Sequence, residues 1–176
     1  CRCPVGLVGP PLGKRRGPVV AAVDAAGNDR ASLALEARIV DLAAEMRDFL
    51  DAPLVIMYSW TAFAEGGLRG HLPAKRIAEY VTRTKAAAAE ELQAVMRRGG
   101  ARLHGAEAVL VKGEPERAIP PYARSRAATL VVMGSVGRSG LTGAIIGNTA
   151  ERVLRELRGS VLVVKPPARA GRSGRG

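Results

Sequence analysis

The chain has 176 residues, and its 27 lysines and arginines against 16 aspartates and glutamates give a formal net charge of +11 at pH 7. This length suits one domain whose core forms without disulfides or metals, and two cysteines, Cys1 and Cys3, are too few for a disulfide scaffold or a zinc cluster. No apolar run approaches the roughly 18 to 20 residues that cross a bilayer, and no secretory leader is visible. We therefore expect a cytoplasmic protein with no membrane partner.

The positive charge is concentrated at the two ends of the chain. Residues 1–16 and 167–176 hold seven of the basic residues and no acidic residue, so the segment between them carries only +4. The six aromatic residues are too few for the stacking platforms of single-strand binding proteins. Nucleic acid is therefore not an expected partner.

Predicted strands and helices alternate along the chain. Continuous apolar runs predict buried strands at 19–23, 54–58, 108–111, 128–133 and 160–164. Apolar residues spaced three and four apart predict helices at 33–50, 74–98, 115–126 and 149–157. Pro53 is expected to end the first helix and Gly99 the second. Because Pro120 and Pro121 lie inside the third helix, we expect that helix to start irregularly.

This alternation predicts the fold class. It indicates an α/β protein with a five-stranded parallel sheet in the order 3-2-1-4-5 and helices on both faces. We assign residues 17–166 to this domain and residues 167–176 to a basic tail. Residues 1–16 are interpreted as the terminal strand of a preceding domain or as a linker.

The interpretation of residues 1–16 rests on a short internal sequence repeat. The segment Val5-Gly6-Leu7-Val8-Gly9-Pro10-Pro11 matches Val161-Leu162-Val163-Val164-Lys165-Pro166-Pro167 at its first, fourth, sixth and seventh positions. The repeat indicates the last strand of a preceding copy, or else a chance apolar stretch. In the first case we expect residues 5–8 to pair antiparallel with the strand at 161–164, within one chain or between two, because an open apolar edge invites aggregation. The unit would then be a homodimer or a tandem pair of domains.

A glycine-rich segment, residues 134–149, joins a predicted strand to a predicted helix. Its glycines let the backbone turn sharply and approach a ligand, and the free N–H groups near Asn148 and Thr149 favour an anion. In an open parallel sheet the ligand crevice lies beyond the carboxyl ends of the strands, where Asp24, Ser59 and Gly134 converge. These features predict a phosphate site.

Readings that need no ligand also fit this segment. A plain connection would explain the glycines, and Asn148 with Glu151 resembles a capping box. The Walker pattern and the dinucleotide fingerprint are both absent from the sequence.

The spacing Gly134-x2-Gly137-x9-Gly147 resembles the nucleotide-binding signature of the universal stress protein (UspA) family. The similarity extends from Val19 to Pro166, and the segments 136–140 and 146–151 most resemble the tandem-domain branch, often called the E type. The resemblance implies a Rossmann-like sheet of the adenine nucleotide alpha hydrolase-like (HUP) class. It also implies an adenine-nucleotide site that takes ATP, with or without Mg²⁺.

The resemblance also implies which residues form the site. Asp24 would lie near the adenosine, and the backbone around Ser59 would meet the adenine. The residues expected at the ribose and phosphates, together with their neighbours, are Gly134, Ser135, Gly137, Arg138, Gly147, Asn148 and Thr149. One residue departs from the pattern, since ATP-binding members usually have Ser or Thr after the last glycine and this chain has the bulkier amide of Asn148.

The leading interpretation of function is a stress-response protein that binds adenine nucleotide as a sensor or regulator. One alternative is a slow ATPase or nucleotidyl transferase, in which Asp24 would hold Mg²⁺ and Arg138 would stabilise the phosphoryl group. Another is an interaction module with a degenerate site, in which the exposed last strand serves oligomerisation. The readings without a ligand are that Asp24 caps the turn at Asn28 and Asp29 and that Arg138 is solvated. His71 and His104 have no Ser, Cys or carboxylate at a telling spacing, so no catalytic residue is predicted.

Overall fold

A six-stranded sheet lies at the centre of the structure, a computed structural model that describes residues 4–9, 17–62, 73–135, 147–157 and 159–166. Five strands run parallel, each paired with its neighbours in the sheet. In spatial order the strands are β1 (Val5–Leu7), β6 (Ser160–Val164), β5 (Leu130–Gly134), β2 (Val19–Val23), β3 (Leu54–Trp60) and β4 (Glu107–Lys112).

The parallel strands have the predicted order, but the predicted count of five strands is wrong. β1 adds a sixth strand, paired antiparallel with β6. A strand at the edge of a sheet presents unpaired N–H and C=O groups, and β1 satisfies those of β6. The antiparallel direction expected for residues 5–8 is therefore confirmed, with both strands in one chain.

The helices begin and end close to the predicted positions. They are α1 (Arg30–Leu50), α2 (Ala74–Gly99), α3 (Pro115–Ser125) and α4 (Asn148–Glu156), with a short 3-10 helix at Gly100–Leu103 after α2. α1 starts three residues before the apolar pattern does, because Asp29 caps it. It ends at Asp51, which adopts a left-handed conformation before Pro53.

α3 corrects the expectation of an irregular start. The helix is continuous from Pro115 to Ser125 although Pro120 and Pro121 lie inside it. Pro115 occupies the first helical position, where a missing N–H costs nothing, and the carbonyl of Glu114 accepts the N–H groups of both Arg117 and Ala118. The first turn is therefore closed before the later prolines interrupt the hydrogen bonding.

Two hydrophobic cores lie on opposite faces of the sheet. α1 and α2 pack on one face through Leu35, Ile39, Val40, Ala43, Leu92 and Val95. α3 and α4 pack on the other through Ala118, Ile119, Ala123, Ala150, Val153 and Leu157. Since both faces are covered, β3 is buried along its whole length, as its continuous apolar sequence predicts. In the parts of the chain that the structure describes, no helix is long and apolar enough to cross a membrane.

Candidate functional site

A cavity of about 500 Å³ lies at the carboxyl ends of the parallel strands. The strand register brings these ends together, since Ala22 of β2 is paired with Met57 of β3 on one side and with Met133 of β5 on the other. The next strand along the chain after β2 is β3, which lies on one side of β2, whereas β5 lies on its other side. The cavity therefore lies where the order of the strands in the sheet reverses. Such a switch point is where ligands bind in open α/β sheets.

Four of the predicted site residues line this cavity. Asp24 follows β2, Ser59 lies near the end of β3, Gly134 ends β5 and Thr149 lies in the first turn of α4. They come from four different elements, and they converge because parallel strands end at the same edge of a sheet. The expectation that Asp24, Ser59 and Gly134 meet there agrees with the structure.

The remaining predicted residues divide into two groups. Ser135 is buried and does not line the cavity; its N–H donates to the carbonyl of Val164 at 2.8 Å, and its carbonyl accepts the N–H of Gly147 at 2.7 Å. These bonds hold the start of α4 beside the end of β5. Gly137 and Arg138 lie outside the described residues, as does the side chain of Asn148.

The ligand-free alternative, a capping box of Asn148 with Glu151, is wrong. Gly147 is the N-cap of α4, so Asn148 is the first helical residue and Glu151 lies one position too late to reach back to the cap. The Glu151 carboxylate pairs with Arg155 at 2.5 Å instead. Within the described residues no side chain caps α4, so the N–H groups of its first turn have no side-chain acceptor there, and Thr149 of this turn lines the cavity.

The start of α1 is capped, in contrast to that of α4. The Asp29 carboxylate accepts the N–H groups of Ala31 at 2.9 Å and Ser32 at 3.1 Å, and its other oxygen accepts the Ser32 hydroxyl at 2.5 Å. These hydrogen bonds, the one from the Ser32 hydroxyl first, lower the pKa of Asp29. Because Asp29 already accepts the hydrogen bonds of these donors, they are not available to a ligand at the start of α1.

Gly134 has a packing reason to be glycine. A Cβ at this position would lie 3.1 Å from Cδ2 of Leu35 and 3.5 Å from Cδ1 of Ile39, both on α1. The sequence predicted that this glycine lets a ligand approach the backbone, but the structure shows that it lets α1 approach the end of β5.

Sequence reasoning missed the acidic residues of the cavity wall. Besides Asp24, the wall includes Asp29, Glu36, Glu114 and Glu116, and no Lys, Arg or His lies among the described lining residues. Glu114 and Glu116 flank the proline that starts α3, and this Glu-Pro-Glu sequence after a predicted strand was the available signal. The floor is apolar and includes Met57, Ile119 and Met133.

Two of the wall carboxylates are neutralised by arginines. The nearly buried Glu36 accepts two hydrogen bonds from Arg98, Nε to Oε1 at 2.9 Å and Nη2 to Oε2 at 2.7 Å, which raise the pKa of Arg98. Glu116 accepts from Arg152 at 3.3 Å. The partner of Glu36 lies 62 residues away, so no local sequence pattern could reveal this pair.

A family comparison decides what kind of domain carries this cavity, because residues 16–165 match the model of the universal stress protein family. The chain belongs to the universal stress protein family. The match spans all five parallel strands and the cavity-lining residues from Ala22 to Thr149, and it confirms the family resemblance found in the sequence.

Individual relatives are similar over different lengths. Universal stress protein E of Salmonella typhi is 53% identical over 55 residues, which are 31% of this chain and 18% of that protein. A protein of unknown function from Pseudomonas aeruginosa is 29% identical with a TM-score of 0.67, over 94% of this chain and 53% of that one. This universal stress protein chain therefore spans about half the length of that solved relative. A universal stress protein in complex with cAMP is 22% identical, with a TM-score of 0.56, over 86% and 98% of the two chains.

Proposed function

We propose that the cavity binds an adenine nucleotide, ATP in the first place, and that the protein acts as a nucleotide-dependent regulator in the stress response. The observation that carries this proposal is the convergence of Asp24, Ser59, Gly134 and Thr149 on one cavity at the switch point of the sheet. Its volume lies in the range of about 300 to 1,000 Å³ typical of small-molecule sites. A universal stress protein of the same fold has been solved in complex with cAMP.

The two ends of the cavity suit the two ends of a nucleotide. The apolar floor around Met57 and Ile119 offers a surface for a base, and the start of α4 offers N–H groups for phosphate oxygens. The glycine signature leads from β5 to that helix start. We place the base toward Ser59 and the phosphates toward Thr149.

We propose that Mg²⁺ binds together with the nucleotide. Among the described residues, no three His, Cys, Asp or Glu side chains lie together so as to hold a metal ion. Protein sites for Mg²⁺ commonly supply one or two carboxylates and leave the remaining positions to substrate phosphates and water. Asp24, which lines the cavity at the end of β2, is the carboxylate we assign to it.

The proposal predicts that calorimetry with the full chain detects ATP binding and that Gly137→Val abolishes it. A branched side chain at the second signature glycine would restrict its backbone and occupy the phosphate path. A second variant, Ala22→Leu, adds side-chain volume to the described cavity wall and should weaken binding at least tenfold.

The matched control is Gly143→Val, which changes a glycine of the same segment outside the signature spacing and should bind ATP like the unaltered protein. Unfolding curves check that all variants keep the fold. If the unaltered protein binds no adenine nucleotide at millimolar concentration, the site is degenerate and the interaction-module alternative replaces this proposal.

A further inference from the structure

Arg152 lies at the rim of the cavity, between the starts of two helices. It follows Thr149 by three residues on α4, and residues three apart lie on the same face of a helix. Its Nη1 lies 3.3 Å from Oε1 of Glu116, near the start of α3. Thr149 and Glu116 both line the cavity, so the guanidinium of Arg152 is held beside it.

Arg152 is held less firmly than Arg98, which also pairs with a carboxylate of the cavity wall. Arg98 donates from two nitrogens to both oxygens of Glu36, whose side chain is 6% exposed. Arg152 donates to Glu116 from Nη1 alone, and its side chain is 64% exposed. Among the described residues, no acceptor lies against its Nε or Nη2. Arg152 therefore keeps guanidinium N–H groups for a ligand.

The contact between Arg152 and Glu116 is easily exchanged for another. An ion pair between a mostly exposed arginine and a carboxylate contributes little to stability, because water competes for both charges. A phosphate group suits a guanidinium better than this single contact does, since its oxygens accept two parallel N–H groups at once. A phosphate at the cavity rim would therefore replace Glu116 as the partner of Arg152.

The cavity holds a further polar group without a partner. Ser59 is only 8% exposed and lines the cavity, and its hydroxyl makes no hydrogen bond to another described residue. Buried polar groups are normally hydrogen-bonded, because leaving one unpaired costs free energy. Ser59 and Arg152 therefore offer unpaired polar atoms at the two ends of the cavity proposed for the base and for the phosphates.

We propose that Arg152 binds the phosphate groups of the nucleotide and that Glu116 holds this arginine in the absence of nucleotide. The inference rests on the proposed function, since it names the residue that recognises phosphate within that site. The N–H groups in the first turn of α4 and the guanidinium of Arg152 belong to the same helix, so one phosphate chain can meet both. Because a longer chain carries more charge, Arg152 should contribute more to the binding of ATP than to that of AMP.

Calorimetry of the full chain with adenosine, AMP and ATP, in the absence of Mg²⁺, tests this role. Arg152→Gln should weaken ATP binding at least tenfold, because charge-assisted hydrogen bonds to phosphate are lost. The loss should be smaller for AMP and absent for adenosine, which has no phosphate. An equal loss for adenosine and ATP would overturn the proposal.

Arg155→Gln is the matched control on the same helix. It removes the same charge three residues farther along α4, where the carboxylate partner is Glu151 of the helix itself. This variant should bind ATP like the unaltered protein. If the two arginine variants lose the same ATP affinity, only the net charge of the chain matters, and the assignment of Arg152 is wrong.

Glu116→Gln separates phosphate binding from a merely structural role of the ion pair. Both Glu116→Gln and Arg152→Gln break the contact between α3 and α4. Glu116→Gln keeps Arg152, removes its competing partner and takes a carboxylate from the cavity wall, so it should tighten ATP binding. If both variants weaken ATP binding alike, the pair only ties the two helices together and the proposal fails. Unfolding curves check that both variants keep the fold.

Inorganic tripolyphosphate separates this inference from the proposed binding of adenine nucleotide. The unaltered chain should bind it, and Arg152→Gln should bind it at least tenfold more weakly. If tripolyphosphate binding depends on Arg152 but adenosine does not bind, the role of Arg152 stands and the assignment of adenine fails. If adenosine binds and Arg152→Gln changes the affinity of neither ATP nor tripolyphosphate, the assignment of adenine stands and this inference fails. Binding of none of these ligands would overturn both.

Discussion

At the residue scale, Gly134 shows how a position in a binding signature can also be a packing position. Its missing side chain admits Leu35 and Ile39 of α1 to the end of β5. We predict that Gly134→Val lowers the free energy of unfolding by about 1 to 3 kcal/mol, because overpacking displaces α1. Urea denaturation of the ligand-free protein measures this effect apart from any effect on nucleotide binding.

The control for this substitution is Gly6→Val. A Cβ at Gly6 in β1 would meet only Cδ1 of Leu162, at an ordinary 3.9 Å, so this change should leave the free energy of unfolding nearly unchanged. The double variant Gly134→Val with Leu35→Ala tests the assigned contact. If removing the Leu35 side chain recovers none of the lost stability, the cause assigned to Gly134 is incorrect.

At the scale of a single element, α1 depends on its cap. The pKa of Asp29 is lower in the folded protein than in an unfolded chain, so its stabilising effect is present above the ordinary pKa of 3.8 and is lost as the pH falls through the folded value. We predict that Asp29→Ala lowers the Tm at neutral pH and that the difference from the unaltered protein shrinks below about pH 3.8. Thermal melts across this pH range measure the difference.

Asp29→Asn separates the charge from the hydrogen bonds. Asparagine is also a good N-cap, so this variant should lose less Tm than Asp29→Ala at neutral pH. A loss from Asp29→Ala that stays constant down to pH 2 would contradict the assigned role of the carboxylate.

At the scale of the whole molecule, the cavity is surrounded by carboxylates. They come from helices on both faces of the sheet and from the strand ends between these helices. Arginines neutralise Glu36 and Glu116, but the Glu114 carboxylate opposes a polyphosphate, because like charges repel by about 1 kcal/mol at 4 Å in water and by more where solvent is excluded. We predict that Mg²⁺ tightens ATP binding at least tenfold and has much less effect on AMP, which carries less charge. Calorimetry with and without Mg²⁺ measures both ratios.

Glu114→Gln tests the source of this dependence. Removing one carboxylate from the cavity wall should raise the affinity for Mg²⁺-free ATP, whereas Glu90→Gln, on the exposed face of α2, should not. Equal ATP affinities with and without Mg²⁺ would show that the carboxylates do not govern binding.

The sequence by itself determined the class and order of the parallel sheet, the direction of residues 5–8 beside β6 and the meeting of Asp24, Ser59 and Gly134. These features follow from local patterns: continuous apolar strands require cover on both faces, and alternation with helices makes the strands parallel. The start of α1 was misplaced by three residues, because its cap, Asp29, is a single side chain that interrupts no apolar pattern. The cap of α4 was misplaced by one residue, because Gly147 caps that helix without a side chain.

Only the tertiary structure decided how the site is built. The pairing of Glu36 with Arg98 and the contact of Gly134 with Leu35 join residues far apart in sequence, and such contacts leave no periodic trace. Glu114 and Glu116, at the start of α3, belong to the acidic wall because the segment after β4 lies beside the cavity. The repeat at residues 5–11 likewise left open whether residues 5–8 pair within one chain or between two, and the structure shows residues 5–7 beside β6 of the same chain.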